Sequence, residues 1–176
     1  MIEKNIAKDA VNEVGGLDYA NDASMHDSAE KLKIILETAI REEEYFYRFY
    51  QVLSDLQSDE DVKNSLLQLS KQEKLHSEKL HTLSFEKLGA NIVPELFDLV
   101  DLDSDVVLTP MSEFEDLHTM FKFAIKQEAL AKGTYSALAA AINDESAKQL
   151  LLNLAQEEEM HEQLLVAEYK KVRGEK

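Results

Sequence analysis

The sequence predicts an all-α fold, a four-helix bundle made of two repeated helical hairpins joined by a long crossover. Leu, Ala, Glu and Lys are abundant among its 176 residues, and only two prolines and five glycines interrupt them. The abundant residues are strong helix formers. Apolar residues recur at helical spacing in four segments, so each segment is expected to form a helix that buries one face.

Capping and breaking residues give the expected boundaries. Asp27 and Glu30 fit a capping box, which places the start of the first helix there and assigns residues 1–27 to an N-terminal leader or arm. Residues 89–111 contain both prolines, Pro94 and Pro110, and are too many for a hairpin turn, so this stretch is expected to form the crossover. The bundle is expected over residues 28–173, with helices at about 28–56, 58–88, 112–142 and 144–172.

Composition excludes several classes of protein. The formal net charge of −16 disfavours binding to nucleic-acid phosphates and to anionic membrane surfaces. The absence of cysteine excludes disulfides, thiolate catalysis and cysteine-ligated iron–sulfur centres. The N-terminus has no apolar signal core, and no apolar run approaches the roughly 20 residues that span a bilayer. We therefore expect a soluble, cytoplasmic protein without nucleic-acid or membrane partners.

The chain contains two Glu-x-x-His motifs whose members lie 85 positions apart. The same offset relates two further glutamates, two tyrosines and several leucines. A shared offset across so many residue types indicates a duplicated helical hairpin. The pairs are Glu43 with Glu128, Tyr50 with Tyr135, Glu73 with Glu158, His76 with His161, Leu66 with Leu151, Leu69 with Leu154, and Leu80 with Leu165.

The two hairpins are expected to bring the polar members of these pairs together. In each hairpin, both glutamates lie 15 residues from the predicted turn, at Ser58 or Asn143. They therefore share one height, about 22 Å from the turn at 1.5 Å per residue. Four buried carboxylates would be costly without cations. Two divalent metals would cancel their charge, and oxygen ligands with imidazole suit iron or manganese.

These motifs resemble the rubrerythrin branch of the ferritin-like di-iron carboxylate superfamily, over about residues 30–172. The resemblance lies in Ala39-Ile40-x-x-Glu43, Phe49-Tyr50 and Glu73-x-x-His76, and in the repetition of this arrangement in the second hairpin. It implies a ferritin-like bundle holding two iron ions, with manganese or mixed metals also possible. It also implies that Glu73 and Glu158 bridge the metals. The implied metal ligands are Glu43, Glu73, His76, Glu128, Glu158 and His161.

Two tyrosines are expected beside these ligands. Tyr50 and Tyr135 lie seven residues after Glu43 and Glu128, nearly two turns, and so return to the inner face. A buried hydroxyl needs a partner, so each tyrosine is expected to steady a ligand carboxylate. The expected catalytic set is Glu43, Glu73, Glu128, Glu158, Tyr50 and Tyr135. The glutamates next to the ligands are expected to face solvent: Glu42, Glu44, Glu157 and Glu159.

The function favoured by the resemblance is a rubrerythrin-type di-iron oxidoreductase that reduces hydrogen peroxide or dioxygen during oxidative stress. Without cysteines for a rubredoxin-type centre, it would need an external electron donor such as a rubredoxin. Many rubrerythrins carry a further carboxylate one turn after the third-helix ligand, and here that position is Ala131. This departure favours a ferroxidase or iron-handling protein instead. The same ligand set would also suit a dimanganese catalase-like enzyme, or a bundle that binds metal without turnover.

A homodimer is also expected. Five apolar or aromatic side chains form a stripe on the first helix, roughly opposite Glu43, and such a stripe has to be buried. The crossover or a second copy of the chain would cover it, and we favour the second copy. The stripe consists of Ile34, Tyr45, Phe49, Val52 and Leu56.

Overall fold

The computed structural model describes residues 18–83 and 109–174, with side chains from residue 30 onward. Four α-helices dominate these residues, which confirms the predicted all-α four-helix bundle. No helix in the described ranges combines the length and the apolar character needed to cross a membrane. The helices are α1 (Asp18–Asp55), α2 (Glu60–His81), α3 (Leu117–Ala141) and α4 (Glu145–Val172), with a short 3₁₀ helix at Met111–Glu113.

Aspartate side chains cap the N-termini of three helices. Asp59 accepts hydrogen bonds from the backbone N–H groups of Asp61 and Val62 at the start of α2. Asp116 and Thr119 form a reciprocal capping box at the start of α3. Asp144 accepts from the Ala147 N–H at the start of α4. Each cap satisfies a donor that the first helical turn leaves without an internal partner.

Several predicted boundaries were wrong. Helix α1 begins at Asp18, so the expected limit between leader and bundle at residue 27 falls inside a helix. Helix α2 ends at His81 rather than near Leu88, where the hydroxyl of Thr82 bonds back to the Lys79 carbonyl. The N-terminal caps of α2 and α3 are Asp59 and Asp116, which lie one and four residues after the predicted helix starts at residues 58 and 112. Most of the expected crossover, and residues 1–17, lie outside the described residues.

Two apolar clusters fill the bundle, one on each side of a polar layer. Each helix contributes side chains to both clusters, with a glutamate between them. The first cluster draws on residues 32–40, 80–83, 135–142 and 147–155. The second cluster draws mainly on residues 46–53, 62–69, 120–124 and 165.

The order in which the helices visit these clusters gives the topology. Helix α1 runs from the first cluster to the second, and α2 returns. Helix α3 then starts again at the second cluster, and α4 starts at the first. The chain therefore leaves α2 at one end of the bundle and enters α3 at the other. The turns of the two hairpins lie at opposite ends, which is the connectivity of ferritin-like bundles with one crossover.

The aromatic stripe on α1 is partly an internal contact. Phe49 is fully buried, and its ring packs edge-on against Phe114. Tyr45 packs against Phe123 and donates a hydrogen bond to the Thr109 carbonyl over 2.7 Å. The rest of the stripe is exposed, so the homodimer stays a prediction that concerns only those positions. They are Ile34, Val52 and Leu56.

Candidate metal centre

The polar layer consists of one glutamate from each helix and one histidine from each of α2 and α4. All six side chains are at most 5% exposed. Each histidine follows its glutamate by three residues, so both project from one helix face toward the bundle axis. The structure thus brings together the whole predicted ligand set: Glu43, Glu73, His76, Glu128, Glu158 and His161.

The inner part of the layer is a four-residue group that could hold metal. Donor atoms of Glu73, His76, Glu158 and His161 all lie within 4.8 Å of one another. The His76 Nδ1 atom is 2.8 Å from Glu158 Oε1 and 3.2 Å from Glu73 Oε2. The His161 Nδ1 atom is 3.1 Å from Glu73 Oε1 and from Glu158 Oε2. Both glutamates therefore offer one oxygen to each half of the site.

The other two glutamates each belong to one half. Glu43 places Oε2 3.6 Å from the Nδ1 atom of His76. Glu128 places Oε2 at the same 3.6 Å from the Nδ1 atom of His161. The imidazole rings stack at 5.2 Å between centroids. The layer thus has two equivalent halves, each with one histidine, one carboxylate of its own and a share of two further carboxylates.

Two tyrosines tie the hairpins together across this layer. Tyr50 on α1 donates a hydrogen bond to Oε1 of Glu128 on α3. Tyr135 on α3 donates to Oε1 of Glu43 on α1. Both tyrosines are buried, and burial together with the charge of the bonded glutamate raises the pKa of each phenol well above its usual value. The phenols therefore stay protonated, and each keeps an O–H group to donate to its glutamate.

The protonation pattern of the layer reduces its buried charge. Burial raises the pKa of Glu43 and Glu128 well above the usual range, and the charges of Glu158 and Glu73 add to this effect. Burial also opposes ionisation of Glu73 and Glu158, but hydrogen bonds from the histidines lower the pKa of both carboxyls. These opposite directions favour protonated carboxyls at Glu43 and Glu128 beside ionised carboxylates at Glu73 and Glu158.

The two histidines supply positive charge that offsets the ionised carboxylates of the layer. Burial lowers the pKa of His161, yet the three nearby glutamates outweigh it and raise that pKa to about 12. The pKa of His76 is raised for the same reason, with Glu158 making the strongest contribution. The directions of these shifts favour two imidazolium groups that face two carboxylates, an arrangement that leaves little net charge in the metal-free layer. A neutral arrangement is what a site of such low exposure requires.

The donor atoms of the layer fit a pair of divalent metals. Three buried inward atoms, Glu73 Oε1, His76 Nδ1 and Glu158 Oε1, lie within ion-pair distance of other atoms of the layer but form no well-directed hydrogen bond among the described residues. Four carboxylates and two neutral imidazoles would balance the four positive charges of two such ions. Carboxylate and imidazole without thiolate suit iron or manganese.

Two glutamates that were expected to face solvent are less exposed than predicted, and one of them contacts the layer. Glu157 was expected to face solvent, but its Oε2 lies 2.6 Å from the outer Nε2 atom of His76. Glu42 was also expected in solvent; it is half-buried, and burial raises its pKa to about 7, although Arg41 lowers it. Glu44 and Glu159 are exposed, as expected. One signal was available: the 85-residue repeat pairs Glu42 and Glu157 with glutamines instead of glutamates.

Tyr50→Phe is expected to destabilise the metal-free protein by about 1–3 kcal/mol, because the buried Glu128 carboxyl loses its donor. Urea unfolding followed by circular dichroism measures the change. Tyr169→Phe is the matched control, since that half-buried ring stacks on Phe121. Equal stability of the Tyr50 variant and the parent protein would show that this hydrogen bond contributes little.

The comparison with protein families agrees with this geometry. Residues 5–84, which include the first hairpin, match the family model of rubrerythrin. No curated protein and no solved structure matches the chain. The match, the four-helix bundle and the buried glutamate–histidine group fit a di-iron carboxylate protein. They confirm that this chain is similar to the rubrerythrin branch of the ferritin-like di-iron carboxylate superfamily.

Proposed function

We propose that this protein is a non-haem di-iron oxidoreductase that reduces hydrogen peroxide or dioxygen with electrons from an external donor protein, such as a rubredoxin. The observation that carries the proposal is the symmetric buried layer of four glutamates and two histidines. Such a donor set would supply ligands to two ions and balance their charge. The rubrerythrin match over residues 5–84 supports iron as the metal.

Each side chain has a distinct task in this proposal. Glu73 and Glu158 would bridge the two metal positions, because each has an oxygen near both histidines. Glu43 and Glu128 would each serve one position. Tyr50 and Tyr135 would hold these two carboxylates in place, so that a change of metal charge does not displace them.

The proposed reaction also requires a source of electrons and protons. When bound, two ferrous ions supply one electron each, which is enough to cleave one O–O bond. The overall reduction of hydrogen peroxide consumes two electrons and two protons and gives two water molecules. The external donor then restores the two electrons. The apolar clusters on both sides of the layer limit access of bulk water and so favour reduction at the site over side reactions in solution.

Reduced, iron-loaded protein is expected to be reoxidised within seconds by a stoichiometric amount of hydrogen peroxide, in the absence of dioxygen. The two electrons needed are already present at one site. Stopped-flow absorption would follow the reaction, with free ferrous iron at equal concentration as the control. Reoxidation no faster than that of free iron would contradict the proposed peroxide reduction.

A ferroxidase or iron-handling function is the second candidate, and Ala131 favours it. The side chain three residues after Glu128 packs against the first apolar cluster and offers no carboxylate to the layer. The matching position on α1, three residues after Glu43, is the buried Phe46. The layer is therefore limited to the plain set of four glutamates and two histidines. Catalytic oxidation of excess ferrous iron, faster than donor-dependent peroxide turnover, would favour this second function.

A further inference from the structure

The twofold symmetry of the polar layer breaks at the outer nitrogens of its histidines. The Nε2 atom of His76 lies 2.6 Å from Oε2 of Glu157, and the ammonium group of Lys79 lies 2.7 Å from the same oxygen. The Nε2 atom of His161 is buried and has no hydrogen-bond partner among the described residues. The two halves therefore have matching donor atoms on the inside of the layer. They differ at the outer histidine nitrogens, where His76 has a partner and His161 has none among the described residues.

The sequences of the two hairpins differ at the positions that make these contacts. The 85-residue repeat relates Glu157 to Gln72, and it relates Lys79 to Leu164. Gln72 is half-buried, and Leu164 packs against the second apolar cluster. The charged pair that supports His76 thus has a neutral amide and an apolar side chain as its counterparts in the repeat. The duplicated hairpins have diverged at the two positions that would make the histidines equivalent.

A carboxylate behind a metal-bound histidine changes its strength as a ligand. Both histidines turn Nδ1 toward the glutamates, so Nδ1 is the atom available to a metal. The outer nitrogen then carries the proton. Donation of that proton to a carboxylate fixes the ring and makes the inner nitrogen more basic, and loss of such a partner typically costs about 10–100-fold in metal affinity.

We propose, building on the di-metal function above, that Glu157 is a positioning residue that makes the metal position beside His76 the tighter one and the first to fill. Lys79 holds the Glu157 carboxylate in place from the solvent side. The position beside His161 has no such support and fills second. The chain would therefore contain two inequivalent metal positions in spite of its internal repeat.

The surroundings of Glu157 make the proposal accessible to mutation. Glu157 is 29% exposed and lines an open cleft of about 750 Å³. Other polar residues of the cleft are Lys79, Glu145, Ser146, Gln149 and Asn153. A substitution on this wall changes the partner of His76 and leaves the buried carboxylates in place. Such a variant is expected to fold.

Titration of the metal-free protein with Co²⁺ against a competing chelator tests the proposal. The parent protein is expected to bind two ions in steps that differ at least about tenfold in affinity. Glu157→Gln should weaken the tighter step by about 10–100-fold and leave the weaker one unchanged. Gln72→Glu should strengthen the weaker step. Glu159→Gln is the matched control, because this exposed neighbour faces Lys132 instead, and it should change neither step.

Nuclear magnetic resonance of protein labelled with ¹⁵N-histidine locates the first ion. With one equivalent of Co²⁺, the ring signals of a ligated His76 should show large contact shifts, whereas those of His161, whose ring centroid is 5.2 Å from that of His76, should show only the smaller through-space shifts. Equal steps, a first ion at His161, or an equal loss of both steps in the Glu157 variant would each overturn this inference alone. Absence of Co²⁺ binding in the parent protein would instead overturn the proposed di-metal function. If Glu157→Gln fails to fold, the Gln72→Glu variant still tests the inference, because an unchanged affinity of its weaker step would overturn it.

Discussion

Glu73→Ala is expected to reduce the metal content from two ions per chain to less than one. One Glu73 oxygen lies 3.2 Å from His76 Nδ1 and the other lies 3.1 Å from His161 Nδ1, so both metal positions lose a shared ligand. The loss in affinity should exceed the roughly 10–100-fold that an outer partner contributes. Elemental analysis after loading with ferrous iron under anaerobic conditions measures the content.

Two further variants make this result interpretable. Glu78→Ala removes an exposed glutamate from the same helix and should retain both ions. Glu73→Gln keeps the volume and the polar head but lacks the negative charge, so it separates loss of a ligand from loss of packing. Circular dichroism would show whether each variant is folded. A folded Glu73→Ala protein that still holds two ions would place the metal centre elsewhere.

Metal binding is expected to release about four protons, and metal affinity should therefore rise steeply with pH. In the metal-free layer the two histidines and the carboxyls of Glu43 and Glu128 hold protons. Ligation requires all four groups to be deprotonated. If each ion displaces two protons, its affinity should change about 100-fold per pH unit. Calorimetric titration in buffers of different ionisation enthalpy counts the released protons, and a count near zero would contradict this protonation pattern.

The same pattern determines how the stability of the metal-free protein depends on pH. Folding lowers the pKa of Glu73 and Glu158 from 4.5. Their contribution to the free energy of unfolding is therefore present above pH 4.5 and is lost on acidification. Folding raises the pKa of Glu43 and Glu128, so their contribution declines as the pH rises above 4.5. The histidines, with raised pKa, add a further decline above pH 6.5.

The contribution of the layer to metal-free stability should therefore be greatest near pH 4.5 and should fall most steeply above pH 6.5. Bound metal reverses this trend, because it favours the deprotonated side chains. Urea unfolding at pH 5 and pH 8, with and without metal, measures both effects. The two curves should diverge with increasing pH. A metal-free protein that is more stable at pH 8 than at pH 5 would contradict the assigned pKa directions.

The sequence predicted the parts of this molecule that depend on periodicity. The 85-residue offset and the equal spacing to each turn placed one glutamate from every helix at one height, and the structure has them there. A helical repeat accumulates little error over 15 residues, so this prediction was robust to wrong caps. The start of α2 after Asp59 rather than near Ser58 shifts the turn by only one residue.

Contacts between helices were harder to predict. Glu157 precedes Glu158 by one residue, or about 100° of helix rotation, which separates it from the ligand face. That rotation turns it toward α2 and His76, and only the placement of the second helix decides between this contact and solvent. The burial of Phe49 was equally hard to predict, because two aromatic residues that cover it belong to the other hairpin. Phe123 lies on α3 and Phe114 lies just before it.

The crossed tyrosine contacts have a consequence for the order of assembly. Each hairpin contains two glutamates, one histidine and one tyrosine of the layer, which is half of the site. Each tyrosine bonds a glutamate of the opposite hairpin. Neither half-site is therefore complete before the hairpins dock, and docking is the step that removes four glutamates, two histidines and two tyrosines from water. Metal capture belongs to the end of the folding reaction, and bound ions should slow the separation of the hairpins more than the fraying of any single helix.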